Sequence, residues 1–245
     1  MNPDPTLPPP PSATEICRLF ALQPPARSLL TPGVPTREFF HTLVAAGHLA
    51  DARRLLAHAM PPRRSIWWAT LCLHHAAEQV PFETPEETQA FEAALRWVVG
   101  PSEATRRVAE VAAWNAEPTT AAGILAMACF LSGGSISRPE LPPVIPASHL
   151  SGRLSGVVVY LASVRFDPAK YLHHLQEYLA IGEEVAAGRN LPPGRPEPEM
   201  TWVEPRCTAI GPVCDHVREF LATGPAAAER LRDEQLFTPM TGGRS

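Results

Sequence analysis

The chain has 245 residues, 45% of them hydrophobic and 19% charged, which is the balance of a globular protein with room for a real core. A net charge of −4, with no basic stretch carrying interleaved aromatics, gives no general pull toward nucleic acid or an anionic membrane. The longest apolar run, AAGILAMACFL, has 11 residues against the roughly 20 that span a bilayer, so neither nucleic acid nor membrane is an expected partner.

Residues 1 to 11 are rich in proline, have little to bury, and read as a disordered head. They lack the basic and apolar regions of a signal peptide, so a cytoplasmic location is expected. Five scattered cysteines fit a reducing compartment better than a disulfide framework.

SATEICRLFAL opens with Ser12 and Glu15 in capping-box spacing and reads as the first helix, with Ile16, Leu19 and Phe20 on its apolar side. PTREFFHTLVAAG and HLADARRLLAHAM read as a helical hairpin, with Gly47 at the stop between them. PPRRSIWWATLCLHHAAEQV is the fourth helix, followed by TPEETQAFEAALRWVV and PSEATRRVAEVAAWNA, each with a Thr or Ser cap. TTAAGILAMACFL is apolar on nearly every side and is expected at the centre of the fold.

The loop SGGSISRPELPPVIPASHLS follows, and its Leu141, Val144 and Ile145 are apolar enough to suggest a strap laid over the bundle rather than a segment offered to a partner. GVVVYLASV has the valine run of a strand but no strand to pair with, so helix is expected. DPAKYLHHLQEYLAIGEEVAAG places Tyr171, Leu172, Leu175, Tyr178, Leu179 and Val185 on one arc and Glu183 and Glu184 on the other, ending at Gly188. Residues 189–245 read as a proline-rich linker with a short helical tail. There Val213, Val217, Phe220 and Leu221 form an amphipathic face that suits a groove of this protein or of a partner.

The fourth helix holds the one cluster that raises a question of chemistry. Trp67, Leu71, His74 and Glu78 share a face, with Trp68 beside them, and His74 and Glu78 stand at i, i+4. One reading is a shallow binding pocket on Trp67, Trp68, His74 and Glu78. The other, preferred, is a core whose indole and imidazole nitrogens are met by carbonyls. Adjacent histidines point about 100° apart, so neither His74–His75 nor His173–His174 offers a metal pair, and no metal or cofactor is expected. No nucleophile stands with a base at a familiar spacing, and Ser132–Ser135 lacks the lysine of a phosphate loop, so catalytic residues are expected to be none.

Three segments in series, ALQPPARSLLTPGVPTREFFHTLVAAGHLADARRLLAHAMPPRRSIWWATLC, ACFLSGGSISRPELPPVIP and YLHHLQEYLAIGEEVAAG, resemble an uncharacterised family of bacterial helical proteins. It is a domain of unknown function, some of whose members are encoded near type VI secretion genes. The likeness covers about residues 15–188 and includes Trp67, Trp68, Gly133, Gly134 and Gly188. It implies an accessory, adaptor or chaperone role in secretion and supplies no catalytic residue.

The expectation is thus an all-α protein, one multi-helix domain over residues 12–188 with helical-hairpin (HEAT- or TPR-like) or bundle packing. Its expected work is non-enzymatic binding of another protein, such as a secretion effector or secretion component. The alternatives are a small-molecule or peptide binder, or a hydrolase, using the pocket near Trp67, His74 and Glu78, and an immunity protein that binds a neighbouring toxin.

Overall fold

A computed structural model describes residues 11–138 and 140–192. The proline-rich head through Pro10, and the tail with Val213, Val217, Phe220 and Leu221, lie outside the described residues. Within them are ten α-helices and no strand: α1 (Ala13–Ile16), α2 (Pro24–Arg27), α3 (Thr36–Ala45), α4 (Leu49–Ala59), α5 (Pro62–Gln79), α6 (Pro85–Val99), α7 (Glu103–Asn115), α8 (Ala121–Phe130), α9 (Leu150–Val164) and α10 (Tyr171–Ala186). The all-α expectation holds.

Four of the ten helices start where a side chain meets free N–H groups. Ser12 and Glu15 form the capping box, while the hydroxyls of Thr84, Ser102 and Thr120 each accept from the backbone N–H three residues on. Gly47 and Gly188, at φ +76° and +77°, take the left-handed conformation that stops α3 and α10. The apolar α8 is central, packed by α5, α6, α7 and α9, and the α3–α4 hairpin forms as read. Phe39, Phe40, Leu43, Leu49, Ala52, Leu55 and Leu56 are all buried.

The valine run is helical, yet α9 starts earlier than its valines suggest, at Leu150. The cause is a stripe of small residues, Ser151, Gly152, Ser155 and Gly156, all buried. A Cβ on Gly152 would stand 2.7 Å from the Ala57 carbonyl oxygen, so α4 and α9 touch backbone to backbone. Arg53 seals the contact by donating to the Gly156 carbonyl.

Other expectations fail for physical reasons. The first helix is one turn long, and Leu19 beyond it is exposed. Tyr171 and Leu172 sit in the first turn of α10, short of its packed neighbours, and are exposed. Glu184 was placed on the polar arc but is buried, and that burial pushes its carboxyl up from the usual range. The loop after α8 is not a strap laid over apolar surface: Leu141, Val144 and Ile145 all face solvent.

Arginines take the place of apolar cover at several helix ends. Arg63 donates to the Val98 carbonyl at the end of α6 (2.6 Å), and Arg165 donates to the Val80 and Pro81 carbonyls just past α5 (2.9 Å each). Arg106 reaches the Phe130 carbonyl at the end of α8 (2.6 Å) and the Ser135 carbonyl (2.7 Å); Arg107 reaches Ser135 and Ser137 (2.7 and 2.6 Å). These orphan carbonyls are where a cation is most favourable.

Glu103 holds both guanidiniums in place, and its hydrogen bond to Arg106 leads the effects that draw its carboxyl down to about 2. A depressed carboxyl stabilises the fold fully above its ordinary value near 4.5 and loses that contribution as pH falls toward 2. Glu103→Gln is therefore expected to flatten the acid limb of stability. Urea midpoints of the two proteins should differ at pH 6 and converge near pH 2.5; a constant difference across that range would remove Glu103 from the acid response.

Candidate functional site

Helix α5 runs 18 residues through the middle of the fold, begun by Pro62 and packed by α9, α8, α10 and α6. Its first three turns are buried on every side, from Arg63 to Leu73. Trp67 and Trp68 therefore point into two different interfaces. The Trp68 indole N–H donates to the Tyr178 carbonyl of α10 at 2.7 Å. The Trp67 indole N–H donates at 2.6 Å to the carbonyl of Asn190, where the chain has turned back past Gly188. Each large ring is buried with its single polar atom satisfied, as the core reading requires.

Gly182 makes room for Trp68. A Cβ there would lie 2.6 Å from the ring and 2.6 Å from Leu56 Cδ2, so α10 crosses the indole with no side chain between them. Nothing in the sequence pattern singled out this glycine, because a small residue on the buried arc of a helix is unremarkable until its neighbour is known.

His74 and Glu78 lie further along α5. His74 is half-buried, its ring tilted against Phe91 of α6 at 6.0 Å, and its Nδ1 is 4.0 Å from Glu78 Oε1, an ion-pair distance rather than a hydrogen bond. Trp67 thus faces the Asn190 turn and Trp68 faces α10, while His74 lies against α6 with Glu78 4.0 Å away. Of the four, the structure pairs His74 with Glu78.

A second cluster, unnoticed in the sequence, does converge. His75 Nδ1 and the Tyr178 hydroxyl share a hydrogen bond at 3.1 Å, and His75 stands edge-on to Phe166. Phe166 in turn lies 4.2 Å from the His174 ring, whose Nδ1 is 3.0 Å from the Ser163 carbonyl. The contacts run from α5 through the α9–α10 turn to α10 and tie three elements together. Burial pushes the Tyr178 hydroxyl well above its ordinary range, so it stays un-ionised.

Among the described residues no three His, Cys, Asp or Glu side chains are placed to hold a metal ion. The Cys72 and Cys129 thiols are buried and pushed up by that burial, away from nucleophilic character; Cys17, half-buried, rises to about 11 for the same reason. The Ser132–Ser135 segment is the turn after α8, with Gly134 at φ +66° and the Arg106 guanidinium laid against it.

The outward surface also carries something the sequence reading missed. α7 buries Arg106, Ala109 and Ala113, which leaves Val111 and Trp114 on the opposite side. Trp114 is 61% exposed, whereas Trp67, Trp68 and Trp97 are buried. Arg107, on the same helix, anchors the loop that presents Leu141, Val144 and Ile145. The available signal was the alanine pair four apart, which marks the buried face of α7 and puts Trp114 off it.

Residues 39–186 match a family of unknown function, DUF6931. The chain belongs to this family. The match runs from within α3 to the last residue of α10, so in this DUF6931 protein it contains the Trp67–Trp68 core, the arginine-capped helix ends, α7 and the anchored loop. No curated protein and no solved structure matches the chain significantly.

Proposed function

We propose that this protein is a non-enzymatic interaction module that binds another protein, acting as an adaptor or chaperone in the cytoplasm. The observation that carries the reading is the exposed Trp114 with Val111 beside it on α7, in a chain that buries its other described tryptophans. Indole surface left in water costs free energy, at about 25 cal/mol per Å² of apolar area, and tryptophan is the residue most enriched at the centres of protein contacts. A patch of this kind, edged by the Arg107–Glu110 and Arg107–Glu103 ion pairs, has the apolar centre and polar rim of an interface. The sequence likeness to proteins encoded near type VI secretion genes supports a bacterial secretion effector, or a component of the secretion machine, as the kind of partner.

Trp114→Glu is the test. Since the side chain contributes little to the core, the variant should melt within about 2 °C of the parent. Its recovery of the native partner in affinity capture should fall at least tenfold. Undiminished recovery by the variant would place the contact elsewhere and remove the observation on which the reading stands.

A further inference from the structure

We infer that residues 141–146, Leu-Pro-Pro-Val-Ile-Pro, are a presented ligand for a protein groove lined with tryptophan and tyrosine side chains; the inference rests on the interaction reading above and names the chemistry of the partner.

Three observations carry it. The first is conformation. Proline fixes its own φ and drives the residue before it toward extended or polyproline II backbone, and this constrains Leu141, Pro142, Pro143, Ile145 and Pro146. Pro146 is buried and holds the end of the segment to the body, while Pro142 and Pro143 are exposed. Leu141, Val144 and Ile145 are exposed at 58%, 52% and 68%.

The second is anchoring. The Val144 N–H donates to Ser135 Oγ (3.0 Å), the Ile136 N–H donates to the Val144 carbonyl (2.8 Å), and the Leu141 N–H closes a turn onto the Arg138 carbonyl (3.0 Å). Arg106 and Arg107 clamp Ser135 and Ser137 from α7. Much of the ordering entropy a free peptide would lose on binding is therefore already spent in the fold.

The third is hydrogen-bond chemistry. Pro142, Pro143 and Pro146 have no N–H, and among the described residues the carbonyls of Leu141, Pro142, Pro143 and Ile145 accept no hydrogen bond. The segment offers apolar ridges and acceptors with almost no donor. A strand edge is a poor complement, because it needs donors in return. Tryptophan and tyrosine supply what is missing: a flat apolar face for the proline rings and an N–H or O–H at the tip.

The test uses the full chain with a photo-crosslinking benzoylphenylalanine at Ile145 or, in a parallel protein, at Trp114, irradiated in the native cells and mapped by mass spectrometry. The expected result is a crosslink from position 145 into a partner segment that carries tryptophan or tyrosine. Its yield should fall at least tenfold in the Pro142→Ala, Pro143→Ala double variant with the melting temperature unchanged. A crosslink from 145 to a second copy of this chain, to an aliphatic surface, or insensitive to the proline changes would overturn the inference. So would a partner found from position 114 with none from 145, an outcome that leaves the interaction reading standing. Silence at both positions would take down both.

Discussion

Trp68→Ala is expected to cost about 3–5 kcal/mol, the range for emptying the space of a fully buried large aromatic. That is a large share of the roughly 5–15 kcal/mol that holds a domain of this kind together, so the variant should be partly unfolded at 37 °C. The loss has two parts. The ring lies against the backbone side of α10 at Gly182, and its N–H donates to the Tyr178 carbonyl. Trp68→Phe separates them, because it retains much of the ring contact and removes the donor, and should cost less than the alanine change. Urea unfolding of the three proteins measures both. If Trp68→Ala left the unfolding free energy within about 1 kcal/mol of the parent, α5 would not be the central helix described.

Gly182→Ala is the reciprocal change and has the opposite sign from the usual helix rule. Alanine in a helix interior is ordinarily worth about 1 kcal/mol over glycine. Here the added methyl would lie 2.6 Å from the Trp68 ring and from Leu56 Cδ2, and 2.8 Å from the indole nitrogen. Leu56 and Trp68 are both fully buried, so neither can swing clear without disturbing its own neighbours. Overpacking of this kind costs about 1–3 kcal/mol and outweighs the helical gain. The expected net result is a loss of up to about 2 kcal/mol, a melting temperature lower by up to roughly 8 °C. A variant more stable than the parent would mean that α10 and Trp68 are not in contact as described.

These two residues also show how far the sequence could be read. The hairpin of α3 and α4 follows from spacing, because burial of one face sets a period visible in the chain; the central α8 follows from its apolar residues on nearly every side, and the helical Val157–Val159 from the lack of any strand to pair with. Gly182 and the Gly152–Gly156 stripe are different. A glycine that admits another helix looks the same in sequence as one that merely weakens its own, and only the neighbour across the gap tells them apart. The arginine caps were hidden for a related reason: Arg63, Arg106 and Arg165 meet carbonyls 24 or more residues away, beyond any local pattern.

The loop departs from expectation for an energetic reason. Apolar Leu141, Val144 and Ile145 argued for cover within the chain, but with three of the six residues from 141 to 146 proline, the segment is held by side-chain clamps instead and turns its apolar edges outward. For the candidate site, the His74–Glu78 pair was legible from its i, i+4 spacing. The partners of Trp67 and Trp68 were not, because they lie in the Asn190 turn and on another helix.

The most direct measurement is oxidative footprinting of the tryptophans in the full chain, purified and then in native extract. Purified protein should show Trp114 oxidised rapidly and Trp67 and Trp68 unreactive. In extract, Trp114 should be protected at least fivefold while the buried pair stays unchanged, because a partner covers α7. Equal oxidation of Trp114 in both conditions would contradict an interaction surface there.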